Sequence, residues 1–242
     1  MFRYGVMIAR NIYKFPGLIG KMRKLTFLGN HSEEERYRYL QKVITMFQKT
    51  GYTKTEVYGE ENLPEEGGYT MYSNHQGKYD AFGIVSMHKK PCTVVMDKAK
   101  SYAIFINEVI DLIRGKRLDK EDVKQGLAII NEVAEEVKNG KRYIIFPEGS
   151  YTKEKKNSLI EFKPGCFKVS LKSKTPIVPV TIIDSYKAWN TSSLKTVTTQ
   201  VHFLKPISYE EYKGMKTQQI AEMVRERIRV KIEEVTGSPC VG

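Results

Sequence analysis

The chain is poor in the residues that mark several common functional classes. Its three cysteines, Cys92, Cys166 and Cys240, are odd in number, widely spaced and free of any CxxC pair. That argues against a disulfide framework and a thiolate zinc site, and it predicts a reducing compartment. The four histidines, His31, His75, His88 and His202, show no metal-ligand spacing, so no metal is expected. No apolar run approaches the roughly 20 residues of a membrane-spanning helix. The N-terminus lacks the uninterrupted apolar core of a signal peptide. No internal repeat or low-complexity tract occurs, and no acid at all precedes Glu33.

What is present is a basic chain of 242 residues, 40% hydrophobic, with a formal charge of +12. That length supports one good core, as a single large α/β domain with an appendage or as two domains. The positive excess implies an anionic partner: nucleic acid, anionic lipid or phosphorylated metabolites. Base-stacking and groove-reading motifs are absent, which argues against nucleic acid.

The first 30 residues read as an amphipathic helical hairpin. Tyr4, Ile8, Ile12 and Phe15 share one side of a helical wheel, with Arg3, Arg10 and Lys14 opposite. Pro16-Gly17 breaks the run, and Leu18, Ile19, Met22 and Leu25 form a second stripe beside Lys21, Arg23 and Lys24. An apolar face backed by a purely basic one suits a helix lying in a membrane interface. Each cation near an anionic leaflet is worth up to about 1 kcal/mol. The alternative is a hairpin packed on the body with a solvated basic face; the lack of acids favours the membrane. Residues 1–50 are therefore expected to form a helical membrane-association segment and residues 51–242 an α/β domain.

Ser32-x-x-Glu35 is a capping box, and Tyr37, Leu40, Ile44 and Phe47 continue at helical spacing until Gly51. Strands and helices then alternate. Strands are predicted over 55–58, 69–72, 92–96, 142–146, 177–183 and 197–204. Helices are predicted over 81–87, 102–112, 121–138, 167–171 and 217–235. Such alternation predicts an α/β fold with a mixed, largely parallel central sheet and helices on both faces.

Two motifs carry chemistry. Asn74-His75-Gln76-Gly77-Lys78-Tyr79-Asp80 stands where a strand turns into a helix. A histidine with a carboxylate on its far nitrogen can take a proton from an alcohol, because the carboxylate fixes the tautomer and stabilises the imidazolium. No serine or cysteine nucleophile stands beside it in sequence, so the simplest chemistry is activation of a substrate hydroxyl. Asp80 has a plainer reading as the cap of the following helix. The second motif, Tyr143-Ile144-Ile145-Phe146-Pro147-Glu148-Gly149-Ser150, runs an apolar strand into a polar turn, where open α/β sheets usually hold ligands.

Together these motifs resemble the glycerolipid acyltransferase superfamily, and more narrowly the bacterial 1-acyl-sn-glycerol-3-phosphate acyltransferases. Arg117-Leu118-Asp119-Lys120 matches the family's acceptor-binding segment, and Ile177-Val178-Pro179-Val180 its apolar-proline strand. The resemblance covers residues 57–207. It implies that His75 is the general base and that Asp80 orients it. It further implies that Glu148, Gly149 and Ser150, with Arg117 and Lys120, bind the acceptor, lysophosphatidic acid. The acyl donor would be acyl-CoA or acyl carrier protein. The enzyme would be peripheral or monotopic on the cytoplasmic face of the cell membrane, held through residues 1–30, with no cofactor. A thioester is already activated, so the mechanism requires neither metal nor covalent intermediate.

Two departures stand out. Lys120 and Tyr151 occupy positions where the family commonly has arginine; lysine keeps a point charge without the guanidinium fork, whereas tyrosine keeps no charge. Lys116, Arg117, Lys153 and Lys163 are the cations that could compensate. The competing readings are another lysolipid or an amino-acid-containing lipid as acceptor, a non-catalytic lipid-binding protein, and a basic nucleic-acid-binding protein.

Overall fold

The computed structural model describes residues 2–151 and 156–240. Among these residues seven strands form one sheet: β1 (Thr53–Tyr58), β2 (Tyr69–Ser73), β3 (Thr93–Asp97), β4 (Lys116–Leu118), β5 (Arg142–Ile145), β6 (Ile177–Ile183) and β7 (Val197–Phe203). Their order is β1-β7-β6-β2-β5-β3-β4, and only the β6–β7 pair is antiparallel. The expected mixed, largely parallel sheet is what the chain forms.

The central strands are buried on both faces, and their alternation divides the core in two. Met71, Ile144, Val178, Val180 and Ile182 face one layer. That layer holds α1 (Phe2–Asn11), α2 (Phe15–Phe27), α3 (Glu33–Thr50), α4 (Asp80–Met87), the short α5 (Lys98–Ser101) and α6 (Ile106–Leu112). Tyr72, Tyr143, Ile145, Ile177 and Ile183 face the other layer. It is built from α7 (Val123–Lys138) and α8 (Lys168–Ser173) and, after the one-turn α9 (Lys187–Asn190), whose Ala188 and Trp189 join the first layer, from α10 (Tyr209–Tyr212) and α11 (Thr217–Thr236). Helices thus cover both faces.

The N-terminal hairpin shares this core. Met7, Met22 and Leu25 are buried in the same cluster as Leu40, Phe82 and Phe105, with Tyr4, Ile8, Phe15 and Leu18 packed against it. The expected wheel is corrected at two points. Arg3, placed on a solvated basic face, is 1% exposed, and its guanidinium donates to Thr191 Oγ1 and to the carbonyls of Gly51, Tyr52, Ser193 and Lys195. Ile12, placed in the apolar stripe, is exposed. The helix register is as read, but a guanidinium surrounded by carbonyl oxygens is stable in a buried position where a wheel assigns it to water.

Other differences are local. Ser32 caps α3 through the Glu35 N–H at 3.1 Å, but Glu35 does not reach back to complete a capping box; it accepts from His31 Nδ1 at 2.8 Å. The helix expected over 102–112 is interrupted at Phe105, where φ is +73°. Three residues of β4, too few to show a period, pair in parallel with β3.

Candidate active site

The carboxyl ends of β2, β5 and β6 lie side by side at the centre of the sheet; the His75 motif leaves β2 and the Glu148 motif leaves β5. Asn74 carries the β2–β6 pairing one step past the ladder. Its side-chain amide donates to Ile182 O at 2.9 Å and accepts from Ile182 N–H at 2.8 Å, as a backbone group would. Gln76 repeats the device, donating to Ile182 O at 2.9 Å and to Asn157 Oδ1 at 2.8 Å. The turn carrying His75 is thereby pinned at both flanks.

His75 Nδ1 lies 2.7 Å from Asp80 Oδ2. The same oxygen accepts the N–H groups of Gln76 at 2.5 Å and Gly77 at 2.8 Å, while Oδ1 accepts the Ser185 hydroxyl at 2.5 Å. A carboxylate accepting from three other donors leaves Nδ1 as the ring nitrogen that carries a proton, so Nε2 holds the lone pair. Asp80 is fully buried and its charge is balanced by these donors. It opens α4, but no helix N–H reaches its side chain. The carboxylate turns back into the preceding loop, and the plain capping reading does not hold.

Aromatic rings fix the imidazole plane. Phe146, just past β5, stacks on it at 4.3 Å between centroids and 23° between planes. Tyr151 meets it edge-on at 4.5 Å and 74°. Burial, with Asp80 nearby, raises the Tyr151 phenol above its ordinary value, so it is a neutral donor at physiological pH.

Below the ring, the buried Glu148 accepts the His75 N–H at 3.3 Å, tying the β5 turn to the β2 turn. Gly149 has φ +70°, a left-handed conformation that favours glycine. Two ammonium groups converge on it. Lys120 Nζ donates to Gly149 O at 2.7 Å and pairs with Asp97 at 2.7 Å, which holds the Asp97 carboxyl below its ordinary range. The Lys163 ammonium lies so near that a β-carbon on Gly149 would meet it at 3.2 Å. A half-buried histidine held by a buried carboxylate therefore stands beside a cationic shelf, an arrangement able to deprotonate the hydroxyl of an anionic substrate.

The sequence profile described as Acyltransferase matches residues 54–183. The chain belongs to this acyltransferase family. It is 30% identical over 194 residues to the 1-acyl-sn-glycerol-3-phosphate acyltransferase of Saccharomyces cerevisiae, covering 77% of this chain and 62% of the yeast protein. It is 24% identical over 160 residues to a probable enzyme of that name from Mycoplasma pneumoniae, covering 64% and 59%. The chain spans about half to two thirds of the length of the curated relatives it matches. The crystal structure of the 1-acyl-sn-glycerophosphate acyltransferase PlsC from Thermotoga maritima shares the fold. Its TM-score is 0.72 at 21% identity, covering 97% of this chain and 95% of that one.

Of the site residues read from the sequence, the structure gathers His75, Asp80, Glu148, Gly149 and Lys120. Ser150 follows on the surface. Arg117 is engaged elsewhere: it pairs with Asp111 at 2.8 Å, donates to Ser101 and Asn107, and lies over the Tyr102 ring. Lys116 points to α7, where it pairs with Glu132 and Glu136. Lys153 lies outside the described residues. Sequence reasoning missed Ser185, the Asn157–Gln76 brace and the two rings on His75. Ser185 carries no local signal, since only the fold brings it to Asp80. Phe146 had one: it is the last apolar residue before the Pro147-Glu148-Gly149 turn.

Proposed function

We propose that this protein transfers a fatty acyl group from an acyl thioester, acyl-CoA or acyl carrier protein, to the free hydroxyl of 1-acyl-sn-glycerol 3-phosphate, giving phosphatidic acid. The observation that carries the reading is the 2.7 Å contact between His75 Nδ1 and a buried Asp80 at a sheet switch point. His75 Nε2 takes the hydroxyl proton as the acceptor oxygen attacks the thioester carbonyl. The tetrahedral intermediate collapses with cleavage of the C–S bond, and the departing thiolate takes the proton from the imidazolium. A positioned base contributes about 10²–10⁴-fold; alignment of hydroxyl and thioester supplies much of the remainder.

The acceptor phosphate is assigned to the shelf at Gly149. Lys120 and Lys163 supply two point charges there, making up for the arginine that Tyr151 replaces. Glu148 and Gly149 shape the glycerol pocket, with Ser150 at its rim, and Arg117 takes a supporting place in the wall.

Attachment to the cytoplasmic face of the membrane is assigned to residues 1–30, in keeping with a basic run free of acids. The exposed Ile12, Tyr13, Phe27 and Leu28 support this. Among the described residues no helix is long and apolar enough to cross a membrane. The deciding experiment is an assay of purified protein with labelled acyl thioester against a panel of lysolipids. Preferential acylation of lysophosphatidic acid is expected; a preference for a phosphate-free or amino-acid-containing acceptor would redirect the reading.

A further inference from the structure

One edge of the molecule leaves large apolar side chains in water beside the candidate site. In the loop between α5 and α6, Ile104 is 87% exposed and Tyr102 59%. The loop ends at Phe105 with φ +73° and ψ −43°, close to the rare γ-turn that a β-carbon resists. That turn is held from several sides. The Phe105 ring is buried and packs on Phe15 at 5.5 Å and Phe47 at 5.1 Å. Its N–H donates to Glu108 at 3.2 Å, and Glu108 accepts from Arg23 of α2 at 2.7 Å. The ring goes into the core while its predecessor is carried outward.

Phe15 opens α2 two residues after the exposed Tyr13 and three after the exposed Ile12. The Phe15–Phe105 contact joins the two segments that carry these apolar groups, and the same segments hold Lys14 and Lys100. The edge also borders the site. Lys100 lies two residues before Tyr102, with Nζ 5.8 Å from the centre of the Tyr151 ring, whose edge meets His75.

We propose that loop 102–104 is a second membrane-inserting element, which enters an anionic bilayer surface together with Ile12 and Tyr13 and presents the lipid acceptor to His75 along that edge. The inference rests on the membrane reading above and adds a structural element to it. A lone exposed isoleucine is ordinary. Here, however, a costly backbone conformation, held by an ion pair and two aromatic contacts, places one beside cations that an anionic leaflet attracts.

The test uses the full chain, whose only tryptophan, Trp189, is buried and gives the background. Ile104→Trp and Ile12→Trp variants are mixed with phosphatidylglycerol-containing vesicles carrying brominated acyl chains. Both reporters are expected to be quenched. Quenching at position 12 alone overturns the loop's role and leaves the N-terminal attachment standing; quenching at neither overturns both. Separately, Ile104→Asp is expected to lower vesicle partitioning roughly 10- to 100-fold. It should spare turnover of a monomeric short-chain lysophosphatidic acid. Unchanged partitioning, or equal loss of turnover on both acceptors, would overturn the proposal.

Discussion

Asp80→Asn keeps the shape of the side chain and removes its charge. The amide oxygen can take the place of Oδ2, accepting from Gln76, Gly77 and His75, while the amide nitrogen faces Ser185, whose hydroxyl can turn to accept. The fold should survive, with stability changed by about 1 kcal/mol. What is lost is the charge opposite the imidazolium. At a charge separation of about 4 Å and an effective dielectric constant near 20, that interaction is worth about 4 kcal/mol. The remaining neutral hydrogen bond returns about 1 kcal/mol. The difference of about 3 kcal/mol corresponds to a fall of roughly two orders of magnitude in kcat. The assay is turnover of labelled acyl thioester at saturating lysophosphatidic acid, with the melting temperature followed in parallel. Turnover within threefold of the parent protein, at unchanged stability, would refute the role given to Asp80.

Ser185→Ala removes the 2.5 Å bond to Asp80 Oδ1. It is expected to lower kcat roughly threefold to tenfold with little change in KM, and steady-state kinetics showing the reverse split would remove Ser185 from the support of Asp80. His88 gives a pH prediction remote from the site. It is fully buried between the Tyr69 hydroxyl and the Lys90 carbonyl, and burial pushes its imidazole down to about 4. The unfolded chain, near 6.5, binds the proton first, so this contribution is complete above pH 6.5 and falls as pH drops toward 4. Between pH 7 and 4.5 the parent should lose about 2.5 kcal/mol more than His88→Gln, read by urea unfolding at both values. His202, shifted in the same direction, is present in both proteins and cancels. Equal losses would contradict the reading.

Much of this arrangement was legible because period and punctuation agree. The apolar runs read at 69–72, 142–146 and 177–183 form the strands Tyr69–Ser73, Arg142–Ile145 and Ile177–Ile183, and the His75 and Glu148 motifs follow the first two. The pairing of His75 with Asp80 follows from five-residue spacing across a tight turn, a local relation that sequence carries. Ser185 was not legible, because its link to Asp80 spans 105 residues and depends on the β2–β6 register. Arg3 misled for the opposite reason. A cation on a wheel reads as surface, yet tertiary contacts supply five oxygen acceptors that make burial stable. Phe105 broke a helix that periodicity favoured, since Glu108 and two aromatic rings outweigh a local preference.

The most direct measurement is a single-turnover assay of His75→Ala beside the parent protein, with labelled acyl thioester and lysophosphatidic acid. Circular dichroism would confirm that both are folded. The account predicts a rate at least about 10³-fold below the parent with lipid binding retained. Transfer at close to the parental rate would contradict it.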